Sequence, residues 1–263
     1  MRQLGISLQL FYDVHGVFPA SGWTTVGAGN PQGKFVGWRP LTLPYIEQEN
    51  LQKLYDFNQN WWEGTNPTAA GVPVLTYQCP SVPTRMDVLS AIAKPPRPAM
   101  DFPVPIAPTD YEAIMGVQPR SIDPVLYNQS NRFSVMHRNS EVTFGSIMDG
   151  SSNTIAIVEC AGRPLTYRLH KEQWDIPNDQ GIGWADSEGP FSLDGATADG
   201  SAQVGPHAMN KRNDNEPYSF HPSGSNCLFA DAHVSFINEA VNIKTFAAMC
   251  TRAGGEVVTS GIP

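Results

Sequence analysis

The strongest constraint on this chain is its opening segment, the longest helical pattern in a sequence that glycine and proline otherwise cut into short pieces. Residues 2–14 place Leu4, Leu8 and Phe11 on one stripe at spacings of four and three, and Ile6 and Leu10 widen it. Gly16 then supplies a left-handed stop. A helix this long is marginal alone in water, so it must pack on something else in the fold. Glycine and proline number 23 each among 263 residues, about 17% where ordinary usage gives roughly 12%. That composition describes a folded, loop-rich protein and excludes a coiled coil or a helical repeat.

Downstream, the stretch 50–55 reads as a short helix capped by Asn50, and 77–81 as a short strand ended by Pro80. The proline-rich run 94–108 predicts an extended, exposed segment. Residues 142–148 read as a short helix stopped by Asp149-Gly150, and 154–159 as a buried strand. Strands over 218–221, 226–230 and 233–237, joined by tight turns, predict an antiparallel meander. Asn242 caps a final helix over 243–252. Helices flanking local hairpins, with no regular alternation of strand and helix, indicate an α+β fold on an antiparallel sheet.

Lys plus Arg total 17 against 25 Asp plus Glu, a formal charge of −8. That excludes a nucleic-acid binder, which needs a basic face. No run reaches about 18 apolar residues, and the first residues lack the charged and apolar regions of a signal peptide. Cys79, Cys160, Cys227 and Cys250 form no C-x-x-C pair, and free thiols or disulfides both fit them.

Several segments, in order, resemble one bacterial family: prepilin-type, processing-associated proteins with a His-x9-Asp-Gly motif, also labelled an extracellular solute-binding family. The matching segments are 3–5, Tyr12-Asp13-Val14-His15-Gly16-Val17-Phe18-Pro19, Leu43-Pro44-Tyr45-Ile46-Glu47-Gln48 and Cys79-Pro80-Ser81. Further on come 147–154 with Asp149 and Asn153, then Glu159, 219–224 with His221, 228–231 ending at Asp231, and 251–258. Ala232 stands where the motif has glycine. The resemblance implies an exported, periplasmic or cell-surface protein whose full form starts with a leader and membrane helix, trimmed here just before Arg2. It implies a pilin-like helix laid on an antiparallel sheet, so that 1–263 is one elaborated soluble domain with loop-rich insertions at 94–141 and 160–216. Other pilin-like subunits or secretion machinery of the type II kind are the implied partners, and the membrane is reached only through the missing helix.

Chemistry is sparse. Five strand residues between His221 and Asp231 separate their turns by roughly 16 Å, too far for a catalytic dyad. His221, Asp231, Asp149, Asn153 and Glu159 are therefore expected to be structural, and the chain to be no enzyme. The 149–153 loop lacks a nucleophile elbow and a Walker lysine. The histidines show no H-x-x-x-H pair, which speaks against zinc. The oxygen-rich loops offer weak calcium candidates in Asp175, Asp179, Asp214 and Glu216, without EF-hand spacing, and otherwise no cofactor is expected. Trp61, Trp62, Trp174 and Trp184 fall in loops where they either anchor the chain to the core or face a glycan or small solute.

Overall fold

The computed structural model describes residues 1–256. Helix α1 runs Arg2–His15, and Gly16 ends it at φ 72°, its N–H bonding Tyr12 O at 2.7 Å. The principal sheet has five strands: β1 Tyr111–Val117, β2 Ile155–Glu159, β3 Phe191–Leu193, β4 Gly224–Phe229 and β5 Val234–Asn238. Their order is β5-β4-β2-β1-β3, antiparallel throughout except for the parallel pair β1–β3. Helix α2, Ile243–Met249, starts at Asn242, whose side chain accepts the Lys244 N–H at 2.9 Å. The architecture is thus α+β on a mostly antiparallel sheet. Among the described residues no helix is long and apolar enough to cross a membrane.

One face of the sheet, through Ala113, Ile157 and Leu228, packs with Leu4 and Leu8 of α1 and with Trp38, Trp61 and Trp184. The other face, through Ile114, Val158 and Phe229, packs with Phe246 of α2. The register slips between Leu228 and Phe229, leaving Ala156 as an extra residue in β2, so Ile155 and Ile157 serve opposite faces. Helix α1 lies close on β4. A Cβ on Gly5 would come within 2.9 Å of Leu228 Cδ1, and the Gln9 side-chain amide donates to Ala230 O at 2.8 Å. In β1, Glu112 sits between two arginines, Arg39 Nη2 at 2.7 Å and Arg163 Nη2 at 2.6 Å, with all three side chains fully buried.

Several expectations are corrected. The meander is a two-stranded hairpin, β4–β5, because the 218–221 segment makes only a single parallel bridge, Cys160 to Tyr218. Pro217 and Pro222 bracket that segment and donate no backbone hydrogen bond. The expected helix over 142–148 shrinks to a single turn, Phe144–Ser146. Its backbone is engaged elsewhere: Val142 O accepts from Phe18 N at 2.8 Å, and Phe144 N donates to Tyr12 Oη at 3.2 Å. The short helix spans Glu49–Gln52 with Asn50 inside it, not capping it. The 77–81 segment is no strand, since the Cys79 N–H is taken by a side chain, Asp110. The two segments expected as loop-rich insertions supply β1 and β3, so they belong to the sheet itself. Met100–Ile106 forms a hairpin with Val88–Ala91, with Pro103 and Pro105 in the strand. All four cysteines are free and buried. Val257 and Val258 of the family match lie outside the described residues.

Ala232, in the turn after β4, has φ 72°. A left-handed conformation costs an L-residue roughly 1–2 kcal/mol, partly offset by the greater chain entropy of glycine. Ala232→Gly is expected to raise stability by about 0.5–1 kcal/mol, read as a higher urea midpoint.

Candidate functional site

Asp110, just before β1, organises a buried junction. Its Oδ2 accepts the Cys79 N–H at 2.6 Å and pairs with Arg85 Nη2 at 2.6 Å, while Oδ1 accepts the Gly162 N–H at 3.0 Å. Its own backbone bonds Tyr77 O at 2.9 Å and Cys160 N at 2.8 Å. One carboxylate thus ties the Cys79 loop to the end of β2. Glu159 is the last residue of β2, opposite Tyr111. The chain carrying His221 is brought alongside by Tyr218, whose N–H bonds Glu159 O at 2.8 Å, and Ser219 Oγ accepts the His221 N–H at 2.8 Å.

These three segments converge at one point. Cys79 Sγ is 3.6 Å from Glu159 Oε1 and 3.6 Å from His221 Nε2, and Nε2 is 3.2 Å from Oε1. Cys79 and Glu159 are buried, while the His221 side chain is 29% exposed, so the cluster opens towards solvent on the imidazole side. Each group is held from behind. Glu159 Oε2 accepts from Asn226 N at 2.7 Å and Ser225 Oγ at 3.1 Å, and His221 Nδ1 meets Ser81 Oγ at 3.3 Å. Among the described residues, these three form the one group of His, Cys, Asp or Glu side chains close enough to share a metal ion.

Burial raises the Cys79 thiol above its ordinary range, and the nearby Glu159 charge acts in the same direction. The carboxylate meets the same imidazole nitrogen as the sulfur does, whereas an orienting acid would bond the other nitrogen. At that other nitrogen, Nδ1, stands the Ser81 hydroxyl and not an acid.

Of the motif residues, the structure joins Glu159 and His221 and leaves the others elsewhere. Asp231 bonds within its own turn, to His233 Nδ1 at 2.6 Å and His233 N at 3.1 Å. Asp149 accepts from Gly254 N at 2.7 Å and Gly255 N at 3.1 Å, and Asn153 Nδ2 donates to Asp149 O at 2.9 Å, so this loop fastens the C-terminal segment. The calcium candidates are not assembled: Asp179 pairs with Lys94, Asp214 with Arg212, Asp175 is exposed, and buried Glu216 accepts from Asp194 N. No local spacing links positions 79, 159 and 221, so sequence alone does not mark Cys79, Ser81 or Asp110 as site residues. The one sequence signal was that Cys79-Pro80-Ser81, Glu159 and His221 all lie in segments matching the family.

The tryptophans need a correction. Trp61, Trp62 and Trp184 are core residues and cannot face a ligand; only Trp174, 89% exposed, remains available. Loop tryptophans here close the core, with Trp184 Nε1 donating to Val72 O at 3.0 Å and Trp61 Nε1 to Glu188 Oε2 at 3.1 Å. Burial, reinforced by Asp186, pushes Glu188 from 4.5 up to about 9. The folded chain then keeps a proton that the unfolded chain has released, so this residue's contribution to stability falls as pH rises from about 4.5 through about 9. Glu188→Gln should flatten that decline, seen as a smaller drop in urea midpoint than wild type between mildly acidic and alkaline buffers.

No curated protein and no solved structure matches the chain. A family model described as "Protein of unknown function (DUF1559)", with the label SBP_bac_10, matches residues 1–244. Since that match spans the helix, the sheet and all three converging segments, the chain belongs to the DUF1559 family.

Proposed function

We propose that this protein is a pseudopilin-like structural component of the bacterial cell envelope, exported, anchored through an N-terminal membrane helix in its full form, and acting by assembly and not by catalysis. The observation that carries the proposal is the outer face of α1. While Leu4, Leu8 and Phe11 are buried, Ile6, Leu10 and Val14 stand 55%, 42% and 67% exposed at a spacing of four. Residues four apart form a continuous ridge along a helix, and ridges of this kind seat in the grooves of a neighbouring helix. The partners are other copies of the same helix or related subunits of a secretion apparatus. In the full-length gene product, Ile6→Asp with Leu10→Asp should convert membrane-extracted oligomers to monomers without changing the circular dichroism, since both side chains are exposed. Oligomers that survive the double substitution would contradict the proposal.

A second reading is supported by an open groove of about 730 Å³ where α1 meets the following loops, lined by Phe11, His15, Phe18, Trp23, Tyr45 and Glu141. Together with the solute-binding designation in the family label, it suits a small apolar or glycan ligand with a polar edge. Reproducible thermal stabilisation by members of a glycan and small-solute panel, lost in Tyr45→Ala, would favour it.

A further inference from the structure

We propose that Cys79, Glu159 and His221 form a zinc site, a property independent of the assembly reading. A tetrahedral zinc with bonds of about 2.3 Å to sulfur, 2.05 Å to nitrogen and 2.0 Å to oxygen places its ligands about 3.5 Å apart for sulfur–nitrogen and sulfur–oxygen, and about 3.3 Å apart for nitrogen–oxygen. The corresponding separations in the protein are 3.6, 3.6 and 3.2 Å. Three side chains of the right chemical types therefore stand with the separations of three corners of a zinc coordination tetrahedron.

The supporting shell has the same character. A zinc-bound histidine is oriented by a hydrogen bond from its other nitrogen, and Ser81 Oγ occupies that position on Nδ1. The second oxygen of Glu159 is tied by Ser225 and Asn226, which leaves Oε1 aimed at the cluster. The backbone of Cys79 is fixed by buried Asp110. A thiolate, an imidazole and one carboxylate oxygen suit zinc better than calcium or magnesium, which take oxygen ligands. Three protein ligands leave a fourth position for water or a solute donor.

The test uses the purified protein stripped with a chelator and titrated with zinc, and in parallel with cobalt as a spectroscopic substitute. One equivalent should bind, with a cobalt–thiolate charge-transfer band and a rise in melting temperature. Cys79→Ser should abolish the band. His221→Gln should weaken binding at least 100-fold, and Ser81→Ala about tenfold through the lost orienting bond. Asp175→Asn, at an exposed position outside the cluster, should bind as wild type does. Substoichiometric zinc, or a cobalt complex of the wild-type protein without the thiolate band, would overturn the proposal, and the latter holds even if a variant fails to fold.

Discussion

Glu112→Ala is expected to destabilise the protein by about 3–5 kcal/mol, enough to unfold a marginally stable domain. Glu112 is the anion between Arg39 and Arg163, and no member of the trio is exposed to solvent. Removing it leaves two buried guanidinium groups without the carboxylate they share, held only by carbonyls: Arg39 by those of Trp184 and Tyr111, Arg163 by that of Gly189. The cost arises from breaking the network and not from any intrinsic strength of buried ion pairs. Converting all three positions to apolar residues, Glu112→Leu with Arg39→Met and Arg163→Met, should therefore recover most of the loss. Urea denaturation of the single and triple variants measures both effects, and a single variant within 1 kcal/mol of wild type would refute the account of the trio.

Asp110→Ala is the second large effect, and it links stability to the site. The substitution strands the N–H groups of Cys79 and Gly162 and leaves Arg85 with only the Cys79 carbonyl in place of its carboxylate partner. An unsatisfied buried donor costs about 1–3 kcal/mol, so a total of about 3 kcal/mol or more is expected. Asp110→Asn, which keeps one acceptor oxygen, should lose less. Because Asp110 fastens the Cys79 loop to β2, faster amide exchange should appear at Cys79 and Gly162 before global unfolding. Unchanged exchange at these two amides would show that the carboxylate does not hold the junction.

The parts of the fold legible in the sequence were those set by local pattern. The stripe of Leu4, Leu8 and Phe11, the Gly16 stop, the Asn242 cap and the hairpin around Asp231 all depend on neighbours within a few residues. Elements decided by distant partners were not legible. The Tyr218 segment has strand-like composition, but its partner is a single residue beyond the end of β2. Strand β3 is three residues long within a stretch rich in Asp and Gly, and only its parallel contact with β1 gives it order. Fates of the tryptophans could not be separated by sequence, because the loops around Trp61 and Trp184 fold inward while the loop around Trp174 does not. The same limit applied to the cluster: its residues come from three segments, and Asp110, which sets the position of Cys79, carries no motif of its own. Resemblance pointed to the segments, and tertiary structure supplied the meeting point.

The central functional claim is that the exposed ridge of α1 is an assembly face, and a disulfide test reaches it most directly. In the full-length gene product, Leu10→Cys places a thiol on the ridge, whereas the four native cysteines are buried. The exposed Ala198 on a sheet-side loop, changed to Cys, serves as the control. Mild oxidation in membranes should yield a covalent homodimer through position 10 and none through position 198. A Leu10→Cys protein that stays monomeric, or that links no more readily than the control, would contradict the account.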